Sequence, residues 1–498
     1  MLPALLGKTA FGEISVKNML KEIAKFPLAI KDSESADFIE IKNPATGEAI
    51  ALVAEASEAI VKKAIAMAQV NFASVMRKMP AHKRSQILER TSELLLERLE
   101  EMALTIAQEG GKPLKDARIE VKRAAGTFAI AAQEALNLAG EQIPMDRQVG
   151  NEGRLGFVFR EPVGVVAAVT PFNFPLNLVA HKVAPAVAAG NTVLLKPSSQ
   201  TPISSFKLEA IMREAGLPEG ALTVLFCRGS KGNALVKDDR INVLTFTGSP
   251  EVGWRLRREV ASGVRVILEL GGNAGVIVHD DADIDLAATA CARGGYAHAG
   301  QTCISVQRVY VQEKIYDKFV DAFVGKVKSL KVGNPVEEST DVGPLIDQGA
   351  ADKTIDWIDK AVKAGAKVAC GGKVISANYV EPTVLLNTDS SMLVVCEEVF
   401  GPVVSVMKYK DLDEAITLMN DFPYGLQAAV FTQSLEVAFK ASRLIDAGGV
   451  IVNDASTFRA DHMPYGGRKL SGLGLEGVKY AIAEMTQPKF ICLNLPAL

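Results

Sequence analysis

Between residues 164 and 268 the chain alternates short, almost wholly apolar β-rich runs with amphipathic segments, and this alternation constrains its fold more than any other feature. The runs lie at 165–169, 192–195, 222–226, 243–246 and 264–268, and the spacing predicts helices over 176–189, 204–215, 231–236 and 250–261. A strand that is apolar on both faces must be covered on both, and helices crossing over between parallel strands do the covering. The expected core is a parallel sheet in an α/β fold, and such sheets bind ligands beyond the carboxyl ends of their strands.

The flanking segments extend this frame. Asn43-Pro44-Ala45-Thr46-Gly47 is a turn signal between two extended runs within 41–52. Ser57 precedes helically spaced Ala59, Ile60, Val61, Ala64 and Ile65, and helical blocks follow over 84–109 and 115–138, broken near Pro80 and at Gly110-Gly111-Lys112-Pro113. From Asn273 a second mixed section has helical runs at 284–300, 315–329 and 350–364 and strand-like runs at 305–311, 403–409 and 449–452, which predicts a second α/β domain. The strand-like segments 142–160 and 487–495 belong to neither block and are expected to pair as an arm that docks on another subunit.

Composition excludes several classes of partner. With 55 Lys+Arg against 58 Asp+Glu and a net charge of -3, no polycationic surface exists to drive nucleic-acid binding. The longest apolar stretch, 165–195, is cut by Pro171, Pro175 and Pro185 and interrupted by Asn173, Asn177, His181, Lys182 and Asn191, so no membrane span is expected. Residues 1–6 are apolar but lack a basic n-region, a long h-region and a small-residue cleavage site, so the expectation is a cytoplasmic protein. The six cysteines contain no C-x-x-C pair and the five histidines no His-x-x-x-His spacing, so neither a disulfide scaffold nor a metal site is expected.

Several residues carry chemistry. Gly472-Leu473-Gly474-Leu475-Glu476-Gly477 satisfies G-x-G-x-x-G, but Arg468-Lys469-Leu470-Ser471 before it is a poor strand and too little chain follows, so it is read as a decoy for a pyrophosphate site. Cys303, in Gly300-Gln301-Thr302-Cys303, lies between a helix and a strand, where an exposed cysteine becomes nucleophilic if a nearby base or cation favours the thiolate; otherwise it is a buried hydrophobe. Glu269 ends the last run of the sheet and is either a general base or a carboxylate capping the next turn. Asn173, between Pro171 and Pro175, offers an amide to a developing oxyanion or simply forms a turn.

These pieces, taken together, resemble the aldehyde dehydrogenase superfamily over nearly the whole chain. The matching motifs are residues 170–175, Leu195-Lys196-Pro197-Ser198, Phe246-Thr247-Gly248-Ser249, Glu269-Leu270-Gly271-Gly272, Gly300-Gln301-Thr302-Cys303, Glu397-Glu398-Val399-Phe400-Gly401-Pro402 and Pro464-Tyr465-Gly466-Gly467. The resemblance implies a cofactor-binding domain over 1–140 and 161–270, a catalytic domain over 271–484, and an oligomerisation arm from 141–160 and 485–498, in a homodimer or homotetramer. It implies that Cys303 adds to an aldehyde carbonyl, that the oxyanion sits between the Asn173 side chain and the Cys303 backbone N–H, and that Glu269 activates water to hydrolyse the thioester. Lys196 and Glu398 would hold the two riboses of the cofactor, Phe400 would lie on the nicotinamide side, and Gly248 and Ser249 would lie near the pyrophosphate.

Two departures from the family pattern matter. NAD-preferring members carry a glutamate three residues beyond the lysine; this chain has Ser199, so a 2'-phosphate meets no repulsion and can pair with Lys196 and the hydroxyls of Ser198 or Ser199. The expected cofactor is NADP, with NAD tolerated. The stretch 458–467 and the ending 480–486 are similar to the branch holding lactaldehyde, non-phosphorylating glyceraldehyde-3-phosphate and phosphonoacetaldehyde dehydrogenases, whose substrates are short and polar or anionic. Phosphate-handling members often carry Arg just before the nucleophile, whereas here Thr302 stands there, leaving Arg459, His181 and His462 as expected substrate contacts beside Thr302. The rivals are a coenzyme A-acylating enzyme, which would dispense with Glu269, and a non-catalytic structural relative.

Overall fold

The computed structural model describes residues 24–30 and 37–495. Its first sheet contains the predicted runs as Val165–Val169, Thr192–Lys196, Leu222–Val224, Val243–Thr247 and Arg265–Glu269, all parallel. Val165–Val169 lies at the centre, with Thr192–Lys196 then Leu222–Val224 on one side and Val243–Thr247 then Arg265–Glu269 on the other. The chain thus winds outward in both directions from one strand, and the point where it reverses is the crevice in which open α/β sheets place ligands. Val169 pairs with Lys196, and Thr247 pairs with Glu269, so the carboxyl ends are aligned along one edge.

The helices follow the sequence signals closely. Ser57 caps Glu58–Ser74 by accepting from the Ile60 N–H, and the blocks beyond it form Ala81–Glu97, Leu99–Gly110 and Leu114–Leu136. Gly111 ends the third of these in the left-handed conformation, where the Leu99–Gly110 helix stops and Pro113 starts the next. Among the described residues, Glu58–Lys78 is the one helix long and apolar enough to cross a membrane by length and composition. Its Val61, Ala64, Ile65 and Ala68 are buried in the core of the first sheet, while Lys62 and Lys63 on the opposite face are exposed.

The second sheet runs Lys367–Cys370, Thr383–Leu386, Val403–Tyr409, Val306–Gln312, Ala274–Val278, Gln427–Phe431 and Gly449–Val452 in spatial order, parallel except for the first. Three of its inner strands, Thr383–Leu386, Ala274–Val278 and Gln427–Phe431, were not expected from the sequence. The helix expected over 284–300 ends at Tyr296, because His298, Ala299 and Gly300 take positive φ values of 50°, 55° and 72°. A Cβ at Gly300 would lie 2.2 Å from the Gly401 carbonyl oxygen, so only glycine fits there.

The chain returns to the first sheet near its end. Gly472–Leu473 adds an antiparallel edge strand beside Leu268 and Glu269, and Val478, Ile482 and Met485 are buried in the first core. The glycine-rich stretch read as a decoy is therefore an edge strand followed by the short helix Val478–Glu484, outside any parallel βαβ unit. The two strand-like leftovers pair: Arg154–Pro162 runs antiparallel to Thr486–Asn494, and Glu141–Ile143 adds a third strand. Phe159, Phe490, Ile491 and Leu493 are exposed on this small sheet.

Candidate active site

Carboxyl ends of the first sheet face amino ends of the second. Asn173 follows Val165–Val169, Lys196 ends Thr192–Lys196, Gly248 follows Val243–Thr247 and Glu269 ends Arg265–Glu269, while Cys303 lies just before Val306–Gln312. The glycines after Glu269 make the junction possible. A Cβ at Gly272 would lie 2.2 Å from the Cys303 carbonyl oxygen, and one at Gly271 would lie 2.4 Å from Glu398 Oε2.

Cys303 is half-buried and packs beside Ile304, Leu426, Met463 and Tyr465. The expectation of an exposed loop cysteine is corrected: burial pushes the thiol up to about 12, opposed by the Tyr465 hydroxyl, whose Oη lies 3.4 Å from Sγ, and by Arg459. The Asn173 amide is buried and donates from Nδ2 to the Gln301 carbonyl at 2.9 Å, which holds it against the loop carrying Cys303. An amide nitrogen carries a second N–H, which remains for a ligand. Glu269 is buried and neither of its oxygens has a hydrogen-bond partner in the protein. Burial raises its pKa well above the carboxylate range and the Glu476 charge raises it further, against the opposing pull of Arg459 and Lys182.

Behind Glu269 lies a charged cluster that sequence reasoning missed. Glu476, inside the glycine-rich decoy, accepts from Lys182 at 2.7 Å and from Arg459 at 3.0 Å, and all three side chains are buried. Burial opposes the Glu476 charge, but Lys182, Arg459 and His181 outweigh it and hold this carboxyl below its ordinary range. Lys182 also donates to Thr245 Oγ1 at 3.0 Å. The signal was available: a lone lysine in the apolar helix Asn177–Ala189 must find a buried anion.

The expected substrate contacts divide. The Arg459 guanidinium stacks 3.6 Å over the Tyr465 ring, and its Nε is buried with no partner. His181 is buried, and its Nε2 lies 3.0 Å from Asp461 Oδ1 while Nδ1 has no partner. Burial and Arg459 lower its pKa, against the opposing pull of Asp461 and Glu476. Arg123 also pairs with Asp461, at 2.7 Å. Thr302 is half-buried beside Cys303, whereas His462 is exposed. His298, not singled out from sequence, is fully buried on the left-handed turn with both ring nitrogens unpartnered.

On the cofactor side, Lys196 is half-buried, and a Cβ at Gly232 would lie 2.8 Å from its Cε. Burial lowers its pKa, and among the described residues no carboxylate pairs with its ammonium, which suits an anionic or hydroxyl-bearing ligand. Ser199 is exposed, and Ser198 Oγ accepts from the Gln200 N–H at 3.2 Å. Ser249 caps the helix Pro250–Glu259, directly after Gly248. Glu398 Oε1 accepts from the Gly272 N–H at 3.0 Å, and burial raises that carboxyl to about 7. Phe400 packs edge-on against Phe172 with ring centroids 5.8 Å apart. These groups fit a dinucleotide laid along the carboxyl edge of the first sheet.

A model of the aldehyde dehydrogenase family matches residues 30–491. The chain belongs to the aldehyde dehydrogenase family. It is 47% identical over 462 residues to 3-sulfolactaldehyde dehydrogenase of Priestia megaterium, covering 93% of this chain and 96% of that protein. Aldehyde dehydrogenase 21 from Physcomitrella patens, solved with its reaction product succinate, has a TM-score of 0.92 and 40% identity and covers 96% of this chain and 100% of that one. NADP-dependent glyceraldehyde-3-phosphate dehydrogenase from Bacillus halodurans, solved with NADP, has a TM-score of 0.90 and 38% identity over 93% and 97% of the two chains. This aldehyde dehydrogenase is an NAD(P)-dependent oxidoreductase with the α/β fold that the strand pattern predicted.

Proposed function

We propose that this aldehyde dehydrogenase oxidises a short aldehyde with an anionic or polar far end to the free carboxylate. The observation that carries the reading is Arg459: a buried guanidinium beside the nucleophile's neighbour Tyr465, with Nε unpartnered and its charge felt by both Cys303 and Glu269. Sulfonate, carboxylate and phosphate groups all suit a guanidinium. The substrate named for the Priestia megaterium relative and the product named for the Physcomitrella patens structure are both anionic, which supports the same class.

In this reading the Cys303 sulfur, once deprotonated, adds to the carbonyl carbon, and the oxyanion accepts from the Asn173 amide and the Cys303 backbone N–H. NAD(P), when bound, supplies the acceptor for the hydrogen and electron pair that leave the resulting carbon centre. Glu269 then takes a proton from water as its oxygen attacks the thioester, and collapse returns the electron pair to sulfur. Lys182 and Arg459 hold Glu476 ionised, and the Glu476 charge keeps Glu269 basic enough for that step. Lys196, Ser198, Gly248, Ser249, Glu398 and Phe400 would hold the cofactor. Ser199 in place of an acidic residue favours NADP while tolerating NAD. The presence of Glu269 argues against a coenzyme A-acylating reaction and against a non-catalytic relative.

The exposed apolar residues of the small antiparallel sheet support a homodimer or homotetramer docked through that arm. All six cysteines are free, which supports a reducing, cytoplasmic setting. The test is a screen of propanal, lactaldehyde, 3-sulfolactaldehyde, succinate semialdehyde and glyceraldehyde 3-phosphate with NADP and with NAD. A specificity constant at least tenfold higher for an anionic or hydroxylated aldehyde than for propanal supports the reading; equal constants overturn it.

A further inference from the structure

Among the described residues, the Tyr465 hydroxyl is the one hydrogen-bonding group that touches the Cys303 sulfur. We propose that Tyr465 is a catalytic residue: its O–H donates to the Cys303 sulfur and stabilises the thiolate both as attacking and as leaving group. The inference rests on the assignment of Cys303 as nucleophile.

The phenol is a fixed group. The Arg459 guanidinium covers one face of its ring at 3.6 Å, and Ile304 and Leu426 pack with it. Its backbone is bridged to Glu476 in both directions, Tyr465 N–H to Glu476 O at 3.1 Å and Glu476 N–H to Tyr465 O at 2.7 Å. The ion-paired cluster that sets the Glu269 environment therefore also aims the phenol. With the thiol protonated, either group can donate. Once sulfur carries the charge, only the phenol can, and burial keeps the phenol protonated by raising its pKa well above the ordinary value.

The effect differs between the two half-reactions. In the attack, the S–C bond forms and the carbonyl pair moves to oxygen, while Tyr465 keeps its proton. A donor that lowers the thiol pKa by about one unit raises the thiolate fraction about tenfold but lowers its nucleophilicity about threefold, a net gain of about threefold. In the hydrolytic collapse, the C–S bond breaks, its electron pair returns to sulfur, and the proton from water is already on Glu269. There the phenol stabilises a leaving group, and no loss of nucleophilicity offsets the gain.

The test uses the full-length enzyme with Tyr465→Phe, which keeps the ring, and with 3-fluorotyrosine at position 465, a stronger donor. Iodoacetamide alkylation at Cys303, followed by peptide mass spectrometry across pH, reads the thiol directly. At a fixed pH below the thiol midpoint, the alkylation rate is expected to fall about threefold in Tyr465→Phe and to rise in the fluorinated enzyme. The burst of reduced cofactor should slow about threefold and thioester hydrolysis about tenfold in Tyr465→Phe. An alkylation rate unmoved by both changes overturns the proposal. Because alkylation does not depend on turnover, an error in the assignment of Cys303 shows separately, as a burst that survives Cys303→Ala.

Discussion

Arg459 and Glu476 form an ion pair of 3.0 Å with only 5% and 2% of their side chains exposed. Truncating one member of such a pair leaves the other charge buried, but here Lys182 still holds Glu476 at 2.7 Å. That redundancy makes Arg459 testable without collapse of the site. Arg459→Leu should lower the specificity constant for a sulfonated or carboxylated short aldehyde roughly ten- to a hundredfold, the scale of a charge-assisted hydrogen bond of about 1.5 to 3 kcal/mol. Propanal should lose only a few fold. Steady-state kinetics on both substrates reads the difference, and equal losses would make Arg459 a purely structural partner of Glu476.

The raised Glu269 carboxyl predicts a pH profile. A base acts only after losing its proton, so thioester hydrolysis should rise with pH through an apparent pKa well above the ordinary carboxylate range. Arg459 pulls that pKa down, so Arg459→Leu should move the limb to higher pH. In Glu269→Gln the limb should vanish and turnover should fall roughly a hundredfold or more, while much of the burst of reduced cofactor persists. Stopped-flow measurements across pH separate the two phases. An equal loss in both would assign Glu269 to activation of Cys303.

The proposed role of Ser199 predicts a change in cofactor choice. Ser199→Glu places a carboxylate on the exposed segment three residues beyond Lys196, where it should repel a 2'-phosphate and accept from a 2'-hydroxyl. The ratio of specificity constants for NADP and NAD should move toward NAD by at least tenfold. A wild-type enzyme that already strongly prefers NAD would refute this reading of Ser199.

A stability prediction comes from a carboxyl far from the chemistry. Glu109 is fully buried and accepts from the Ser204 hydroxyl and from the backbone N–H groups of Ile203 and Ser204, at 2.7 Å and 3.0 Å, so its carboxyl group caps the first turn of the helix Ile203–Glu214. Burial raises it from 4.5 to about 7. The folded protein therefore holds a proton there that the unfolded chain loses. The contribution is fully present below pH 4.5 and is lost as pH rises through about 7, to a total of roughly 3 kcal/mol. Relative to Glu109→Gln, wild-type thermal stability should fall between pH 4.5 and 8. Parallel melting curves across that range would contradict the assignment.

The first sheet was legible because its strands are apolar on both faces; Asn173, Lys196 and Glu269 lie at its carboxyl edge, and Cys303 lies just before a strand of the second sheet, as its sequence neighbours implied. The second was less so. Ala274–Val278, Thr383–Leu386 and Gln427–Phe431 are runs of only four or five residues, too short to separate from their surroundings by periodicity. The early end of the helix at Tyr296 escaped notice because the left-handed backbone begins at His298 and Ala299, ahead of Gly300, in residue types that seldom adopt it. Glu476 and Tyr465 were missed as functional groups because their importance lies in contacts across the sheet edge, with Lys182, Arg459 and Cys303, that no local spacing encodes.

The most direct test of the covalent mechanism is peptide mapping of Glu269→Gln after mixing with NADP and a saturating short aldehyde. The slowed hydrolysis should let the acyl-enzyme accumulate, so the account predicts an acyl mass on the peptide carrying Cys303. An acyl mass on any other residue, or a full burst of reduced cofactor with no covalent adduct, would contradict it.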